Sequence, residues 1–264
     1  MLHNLDSDSS KIIEAVRSTG VVITEAMRLY VDYIVSNMKA IGTWDLCNAV
    51  YGFVGGTAAS HKFNWKDLRD VDAAFRLTYG GTVTHSANGM QGNGTTGFAD
   101  TYIIPNNVHN STDGVSILTY IKTASTITSD IFYGANDGNN GGTFQYLLRP
   151  TQFYGQALGL IATSSLIGVS PSKFTSFNIK GISDSYLMNK QRIINGATAS
   201  GSTNLPLIST IIFGRKSITG ADIVNTINSN AEISFFADSK FLTQSQSIQQ
   251  SQIVTNAQNI LNRA

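Results

Sequence analysis

The sequence predicts a mainly β protein, a two-sheet β-sandwich with helices at its N- and C-terminal ends. From about residue 58 to residue 237, short extended runs are separated by Gly, Asn, Asp and Ser, which form turns. Several runs alternate in character, as Phe144, Tyr146 and Leu148 do with the residues between them. So many short strands in one stretch favour two stacked sheets. The predicted strands are 73–79, 82–86, 97–104, 115–122, 128–134, 143–149, 174–180, 185–189, 192–195, 207–213 and 231–237.

Three segments divide the chain of 264 residues. Residues 1–50 are predicted to form a helical docking or packing segment, and residues 51–241 the jelly-roll sandwich. Residues 242–264 are predicted to form a C-terminal helix. This length suits one sandwich with accessory helices, so we favour one main domain.

Apolar residues at spacings of three and four predict a helix that starts near Thr24. The stripe consists of Met27, Tyr30, Ile34, Met38 and Ile41. Gly42 is expected to end the helix in a left-handed conformation. A shorter helix is predicted before it, capped by Ser9 or Ser10 and running to Arg17. Residues 44–53 are expected to be an apolar connector.

The C-terminal helix is predicted from a capping box and an apolar side. Thr243 and Gln246 have the spacing of the capping box. Ile248, Val254, Ala257 and Leu261 share one side of the helix. Its polar positions are mostly Gln, Ser and Asn, so ion pairs contribute little. We therefore expect it to pack on the sandwich, the first helix or a neighbouring subunit.

The segment from Tyr51 to Ser86 combines a strand pattern with a glycine turn. Residues 73–79 alternate between buried-type and polar positions, Gly80 and Gly81 follow, and residues 82–86 resume an extended pattern. We therefore predict a strand, a turn and a second strand, and a junction between the N-terminal helix and the sandwich. The segment 134–142 is predicted to be a hairpin loop with left-handed positions.

The surface is predicted to be neutral and polar, because only 13% of the residues are charged and the net charge is +1. Nucleic acid is not expected as a partner, since no cluster of Lys and Arg is present. No apolar run is long enough to span a membrane, and a basic membrane-surface helix is lacking. The N-terminal residues show neither the basic start nor the apolar core of a secretory signal.

No metal or thiol chemistry is predicted. Cys47 is the single cysteine, so an intramolecular disulfide is excluded, and we expect a small buried side chain rather than a reactive thiol. His3, His61, His85 and His109 are far apart in sequence and lack metal-ligand spacing.

Two loops match ligand-binding patterns in part. Residues 92–97, GNGTTG, fit G-x-G-x-x-G, but a predicted strand follows them where a dinucleotide site needs a helix. Residues 137–140 offer oxygen ligands for calcium but lack further carboxylates. We expect both to be ordinary loops and predict no cofactor.

A catalytic site is not predicted. The chain has three glutamates, and Glu14 and Glu25 lie in the N-terminal helical region. Asp70 and Asp72 have the two-residue spacing of some glycosidase carboxylates, but they belong to a polar turn. The charged residues of this turn are Lys66, Asp67, Arg69, Asp70 and Asp72, and we expect no acid/base set among them. No G-x-S-x-G nucleophile motif is present.

Four runs carry a resemblance to a known family. They are residues 51–64, YGFVGGTAASHKFN, residues 70–77, DVDAAFRL, residues 84–89, THSANG, and residues 93–101, NGTTGFADT. In these runs and in KAIGTW at 39–44 the chain resembles bacteriophage virion-associated proteins with a concanavalin-like (LamG-like) jelly-roll domain. Such proteins occur in phages of Bacteroidetes hosts, including crAss-like phages. The resemblance implies the jelly-roll fold and carries over no site residue.

Three functions are weighed on this basis. The leading hypothesis is a non-enzymatic structural protein of the virion surface, in a head fibre, collar or tail appendage. Its partners would be other virion proteins and copies of itself, with a trimer as the guess. The alternative is a glycan-binding host-attachment module using exposed Tyr133, Tyr154 or Tyr186 as stacking platforms. The third, a glycan-degrading enzyme, is disfavoured by the scarcity of glutamates.

Overall fold

The computed structural model describes residues 5–128, 130–138, 142–149, 152–165, 173–189, 192–199, 203–219, 222–227 and 229–263. It confirms a mainly β sandwich with N- and C-terminal helices. The helices are α1 (Ser7–Ser18), α2 (Glu25–Ala40), α3 (Ala58–His61), α4 (Pro105–Val108) and α5 (Gln244–Ile260). Within the described ranges, no helix has both the length and the apolar character needed to span a membrane.

The strands are assigned in chain order. The first nine are β1 (Cys47–Tyr51), β2 (Thr78–Gly80), β3 (Val83–Ser86), β4 (Gly89–Gly92), β5 (Phe98–Asp100), β6 (Val115–Thr123), β7 (Tyr133–Asp137), β8 (Gly142–Arg149) and β9 (Gln152–Ala157). The others are β10 (Leu160–Ser165), β11 (Lys173–Ile179), β12 (Tyr186–Asn189), β13 (Arg192–Asn195), β14 (Thr198–Ala199), β15 (Ile211–Ile212), β16 (Gly214–Thr219), β17 (Asp222–Ile227) and β18 (Glu232–Ser239).

Two sheets contain these strands. In the eight-stranded sheet the order is β13-β12-β11-β6-β18-β4-β3, with β1 also paired to β18. In the ten-stranded sheet the order is β14-β10-β9-β8-β7-β15-β5-β2, and β16 pairs with β7 and with β17. The pairing of β16 with β7 is parallel, and every other pairing described between the strands is antiparallel.

The helices form a third layer on the outer face of the eight-stranded sheet. Alternate residues of β18 show why: Phe236 faces the core between the sheets, whereas Phe235 and Ala237 pack with the helices. Ile34 of α2 and Val254 of α5 belong to the same apolar cluster as Phe235. The eight-stranded sheet is thus apolar on both faces, as expected for a covered sheet.

Aromatic side chains fill the space between the two sheets. Tyr133 of β7 packs edge-on against Phe236 of β18, with ring centroids 4.9 Å apart. Phe144 of β8 packs in the same way on Phe177 of β11, at 6.0 Å. Such contacts bury large apolar areas and hold the sheets face to face.

The predicted helix ends follow the local cap chemistry at α2 and α5. Thr24 caps α2 through its side chain, and Gly42 has φ +72° just after the helix. Thr243 and Gln246 form the predicted capping box. At α1 the predicted cap is wrong: Asp6 caps the helix, because its side chain accepts from the Asp8 amide. A carboxylate at this position also interacts favourably with the helix dipole.

The prediction for residues 73–86 is partly wrong. Residues 72–74 form a short 3-10 helix and Phe75 is left-handed, with φ +59°, so only Thr78–Gly80 is a strand. The residues after the turn do form β3, but β2 and β3 belong to different sheets. Gly80 and Gly81 therefore carry the chain from one sheet to the other and do not close a hairpin.

The other predicted strands differ in how well they agree with the structure. Six predicted strands match β6, β8, β11, β12, β13 and β18 within a residue or two at each end. The strand predictions for 128–134 and 207–213 are wrong for most of their length, since the described strands there are Tyr133–Asp137 and Ile211–Ile212. Several strands were not predicted from the sequence, namely β1, β4, β9, β10, β14, β16 and β17. The predicted hairpin between β7 and β8 is confirmed, and residues 139–141 of its loop lie outside the described residues.

The segment after β1 fastens the helices to the sandwich, as predicted. The Trp65 ring packs edge-on against Tyr30 of α2, with centroids 6.2 Å apart. Gly52 is required beside it, because a Cβ there would lie 2.0 Å from the Trp65 ring. Cys47 is buried at the start of β1, and burial raises the pKa of its thiol to about 12. The expected inert thiol is thus confirmed as a buried one.

Arg263, beyond α5, is the feature of the C-terminal segment that the sequence did not reveal. It is buried, and its guanidinium donates to the carbonyl oxygens of Phe53 at 2.9 Å and Ala87 at 2.6 Å. It also lies 5.4 Å from the centre of the Tyr30 ring. The helix packs on α2 and on β11 of the sandwich, two of the three partners that the sequence left open, and Arg263 adds a charged anchor at its end.

Candidate binding surface on the outer face of the ten-stranded sheet

The outer face of the ten-stranded sheet is the sheet face that the three long helices do not cover. They lie on the opposite side of the molecule, against the eight-stranded sheet. Along β8 the side chains of Phe144, Tyr146 and Leu148 enter the core, while Thr143 and Gln145 point outward and are half-buried. An exposed sheet face beside a covered one is where side chains can meet a ligand.

The strand register brings polar residues of β8 and β9 together on this face. Gln145 lies opposite Gln156, and Leu147 lies opposite Tyr154. Tyr154 and Gln156 are both half-buried, and Leu147 is buried without belonging to either core cluster. The accessible part of this face thus combines the Tyr154 side chain with a pair of amides.

A row of hydrogen bonds links these residues to β16. The Tyr154 hydroxyl donates to Gln156 Oε1 at 2.7 Å, and Gln145 Nε2 donates to the same oxygen at 3.0 Å. Arg215 Nη1 donates to Gln145 Oε1 at 2.9 Å, and Arg215 Nε donates to Ser217 Oγ at 3.2 Å. We call these five residues, Tyr154, Gln156, Gln145, Arg215 and Ser217, the polar row. Their mutual bonds hold the side chains in fixed orientations before any ligand arrives.

The chemistry of the polar row suits a ligand rich in hydroxyl groups. Amides present both donors and acceptors, the Tyr154 ring presents an apolar face, and the guanidinium presents donors only. Partial burial lowers the pKa of Arg215, and the Tyr154 hydroxyl opposes that shift. The surface therefore combines hydrogen bonding, aromatic packing and one positive charge.

Of the three tyrosines predicted as stacking platforms, only Tyr154 reaches a surface. Tyr133 is 0% exposed and Tyr186 is 1% exposed, so both predictions are wrong. The Tyr133 hydroxyl bonds to Asp238 in the core, and the Tyr186 hydroxyl bonds to the Leu242 carbonyl oxygen under α5. Inward-facing and outward-facing tyrosines cannot be distinguished until the register is known.

Gln145, Gln156 and Arg215 were missed by the sequence analysis. For Gln145 a signal existed, since it alternates with the apolar residues of a correctly predicted strand. For Gln156 and Arg215 there was none, because β9 and β16 were not predicted at all.

A cleft beside the N-terminal helices is a second candidate surface, with a volume of about 640 Å³. It is lined by Trp44 and Trp65, the two tryptophans of the chain, but each is 4% exposed. Lys66 covers the Trp44 ring at 4.4 Å and donates to the Trp44 carbonyl oxygen at 2.8 Å. The aromatic faces are thus already occupied within the protein, so this cleft is the weaker candidate.

The carboxylates considered for hydrolysis are bound in surface ion pairs. Arg76 contacts both Asp70 and Asp72 at 3.0 Å, and Arg69 contacts Asp67 at 2.5 Å. The hydrogen bond to Arg69 holds the pKa of Asp67 below its usual range, and the hydrogen bonds to Lys62 and then Arg76 do the same for Asp70. A carboxyl group kept ionised in this way is not arranged to act as a general acid.

The loops considered for ligands are connections between strands. Residues 92–97 join β4 to β5, as predicted, so no helix follows the glycines. Asn139 and Asn140 of the calcium candidate lie outside the described residues, as does His3. Across the part of the chain that the structure describes, no three His, Cys, Asp or Glu residues form a metal-binding group.

Two histidines that are 24 residues apart in sequence meet beside β3. His61 Nδ1 lies 3.1 Å from His85 Nδ1, and His61 Nε2 accepts from the Gly56 amide at 3.1 Å. His61 is buried, and burial followed by the His85 charge holds its pKa well below 6.5. Burial lowers the pKa of His85 too. The folded protein therefore favours the neutral pair.

We expect the stability to fall as the pH drops below about 6.5, the pKa of an unfolded histidine. The unfolded chain takes up the proton there while folded His61 does not, so stability is present above this pH and lost below it. One such group changes the unfolding free energy by up to about 1.4 kcal/mol per pH unit. Urea denaturation between pH 4.5 and 7.5 measures this dependence. His61→Gln should flatten it, and an unchanged acid slope in that variant would contradict the assignment.

A scan against protein-family models found no match, and a search of curated protein sequences found none either. Among solved structures, the chain resembles the receptor-binding domain of botulinum neurotoxin C/D mosaic serotype, with a TM-score of 0.54 and 12% identity over 79% of this chain and 51% of that one.

Two further neurotoxin domains have a TM-score of 0.50. One is the binding domain of botulinum neurotoxin DC in complex with SialylT, at 14% identity over 80% of this chain and 52% of that chain. The other is the serotype D ligand-binding domain in complex with N-acetylneuraminic acid, at 12% identity over 82% and 52%. The chain thus spans about half the length of these structures. At such identities the likeness shows the fold alone, which is that of jelly-roll binding domains.

Proposed function

We propose that this protein is a glycan-binding module whose ligand lies on the outer face of the ten-stranded sheet. The polar row carries the proposal, because it joins a tyrosine ring, two amides and a guanidinium on the sheet face left open by the helices. Sugars offer hydroxyl groups to amides and apolar ring faces to aromatic side chains. The proposed activity is binding without turnover.

The fold neighbours support this choice among the functions considered. Two of those neurotoxin domains are solved with SialylT or with N-acetylneuraminic acid, and this chain matches about half the length of each. The position of the ligand in this chain is argued from its own side chains alone. The Tyr154 ring offers apolar contact, and the amides and the guanidinium of the polar row offer donors and acceptors beside it.

A glycan array probed with the purified protein tests the proposal, and Tyr154→Ala tests the surface. We expect the variant to bind the array ligands about tenfold or more weakly, because truncating a central aromatic contact commonly costs about 2 kcal/mol. Calorimetry with the tightest array glycan measures the loss.

Tyr33→Ala is the matched control, since it removes the same ring from a half-buried position on α2. It should bind as the unchanged protein does. Equal losses in the two variants would show that the surface is elsewhere, and no binding to any glycan would contradict the proposed function itself.

Display on a phage particle is proposed from the sequence resemblance in residues 39–44, 51–64, 70–77, 84–89 and 93–101. In that setting the module would be a component of the particle surface, bound to other virion proteins or to copies of itself. Glycan binding and particle display are compatible, because a surface appendage that binds glycans would attach the particle to its host.

A further inference from the structure

We infer that the glycan bound by the polar row is acidic, and that Arg215 pairs with its carboxylate. The inference deepens the proposed function and rests on it. Four observations carry it: the burial of the guanidinium, the neutrality of its neighbours, its free donors and the pairing of the adjacent lysine.

The partial burial of Arg215 removes water from around its positive charge. The side chain is half-buried, and burial lowers its pKa, which means that the folded protein disfavours the charged form relative to water. Arginine stays protonated all the same. A positive charge at this position is therefore partly desolvated, and an anion that pairs with it gains more than at a fully exposed site.

The contacts of Arg215 within the protein are neutral. Its hydrogen-bond partners among the described residues are the Gln145 amide oxygen and the Ser217 hydroxyl. No described carboxylate forms an ion pair with it. Asp222 is the acidic residue of the neighbouring strand β17. Its backbone pairs with Thr219, which lies four residues along β16 from Arg215. At about 3.3 Å per residue that separation is roughly 13 Å.

The adjacent cation on β16 provides the contrast. Lys216 forms an ion pair with Asp100 and also donates to Ser209 Oγ at 2.5 Å. Lys216 and Asp100 are each 14% exposed, so the fold supplies a carboxylate where it buries this lysine. For Arg215, one residue earlier, it supplies amide and hydroxyl groups.

The free donors of Arg215 fit a carboxylate. Nε and Nη1 each make one hydrogen bond, and Nη2 makes none with a described residue. The second hydrogen of Nη1 and both hydrogens of Nη2 can thus form the parallel pair of bonds that guanidinium and carboxylate groups share. Thr226, opposite Arg215 on β17, is exposed, so the approach from that side leads to solvent.

The experiment compares each acidic sugar with its neutral counterpart. The probes are sialyllactose and an oligogalacturonate, each beside its carboxyl-reduced form, titrated into the full chain by calorimetry. We expect at least one acidic form to bind about tenfold tighter than its reduced form. Arg215→Gln should weaken the acidic form about 10- to 100-fold, the ratio for about 1.4 to 2.8 kcal/mol, and leave the reduced form within about twofold.

Two further variants keep the result interpretable. Arg28→Gln makes the same charge change on α2 and should bind as the unchanged chain. Arg215→Lys keeps the charge but loses the two-pronged hydrogen bonding of the guanidinium. Its affinity for the acidic form should therefore lie between those of the unchanged chain and Arg215→Gln. It replaces Arg215→Gln if that variant does not fold.

The outcomes separate the inference from the proposed function. Equal binding of acidic and reduced forms, or equal weakening of both by Arg215→Gln, overturns the acidic ligand and leaves glycan binding standing. Binding on the array confined to neutral glycans has the same meaning. No binding to any glycan overturns the proposed function, and the inference falls with it.

Discussion

Asp238→Ala should lower the free energy of unfolding by about 3 to 5 kcal/mol. Asp238 lies on the core side of β18 and is fully buried. Its carboxylate accepts from Asn48 Nδ2 at 2.8 Å and from the Tyr133 hydroxyl at 3.2 Å, and it contacts His109 Nε2 at 3.1 Å. Alanine leaves these groups without a partner and opens a cavity. Urea denaturation at neutral pH measures the change.

This network is a polar link between the two sheets. From Asp238 in one sheet it passes through Tyr133 in the other to Thr210, whose hydroxyl donates to the Tyr133 hydroxyl at 2.7 Å. Asp45→Ala is the control, because Asp45 is 93% exposed and should change stability by less than about 0.5 kcal/mol. A loss below about 1 kcal/mol for Asp238→Ala would mean that the network contributes little. Asp238→Asn keeps the shape of the side chain, so its loss of unfolding free energy should lie between those of Asp45→Ala and Asp238→Ala.

Arg263→Ala should cost about 2 to 4 kcal/mol of unfolding free energy. The guanidinium satisfies the carbonyl oxygens of Phe53 and Ala87, and it packs over Tyr30. Burial lowers its pKa, so the carbonyl contacts offset a desolvation penalty that the fold has to bear. Its loss should also loosen the end of α5, and faster amide exchange there would report it.

Arg17→Ala is the matched control for this anchor. Arg17 lies on α1, is 53% exposed and, among the residues that the structure describes, pairs only with Glu14 across one helical turn. Surface pairs of this kind contribute about 0.2 to 0.5 kcal/mol. If the two alanine variants unfold at the same urea concentration, Arg263 is not an anchor.

The elements that the sequence predicted well depend on neighbours in the chain. Thr243 and Gln246 are three residues apart, and Thr24 caps the helix that it precedes, so local chemistry decides both ends. The same reasoning failed at α1, where Asp6 and the serines that follow it are all candidates for the N-cap position within one turn. In β6 and β8 the buried pattern was strong enough to give the strand within a residue or two.

The failures occur where a distant residue decides the conformation. Phe75 sits in a run that alternates correctly, yet it adopts a left-handed conformation and its carbonyl oxygen accepts from the Tyr51 hydroxyl. No local pattern contains that contact. Strand order is also non-local, so the transfer of the chain between sheets at Gly80 and Gly81 could not be predicted.

The candidate surface shows the same division. That Gln145 points outward follows from alternation along one strand. That it meets Arg215 does not, because 70 residues separate them and the strand order β9-β8-β7-β16 brings them together. Tyr154 was predicted as an aromatic platform, but the same reasoning also selected two core tyrosines.

Hydrogen–deuterium exchange with and without the tightest-binding array glycan tests the binding surface most directly. We expect the ligand to slow exchange in β8, β9 and β16, around Gln145, Tyr154 and Arg215, and to leave the cleft at Trp44 and Trp65 unchanged. Slower exchange at that cleft, with none on the ten-stranded sheet, would contradict the account.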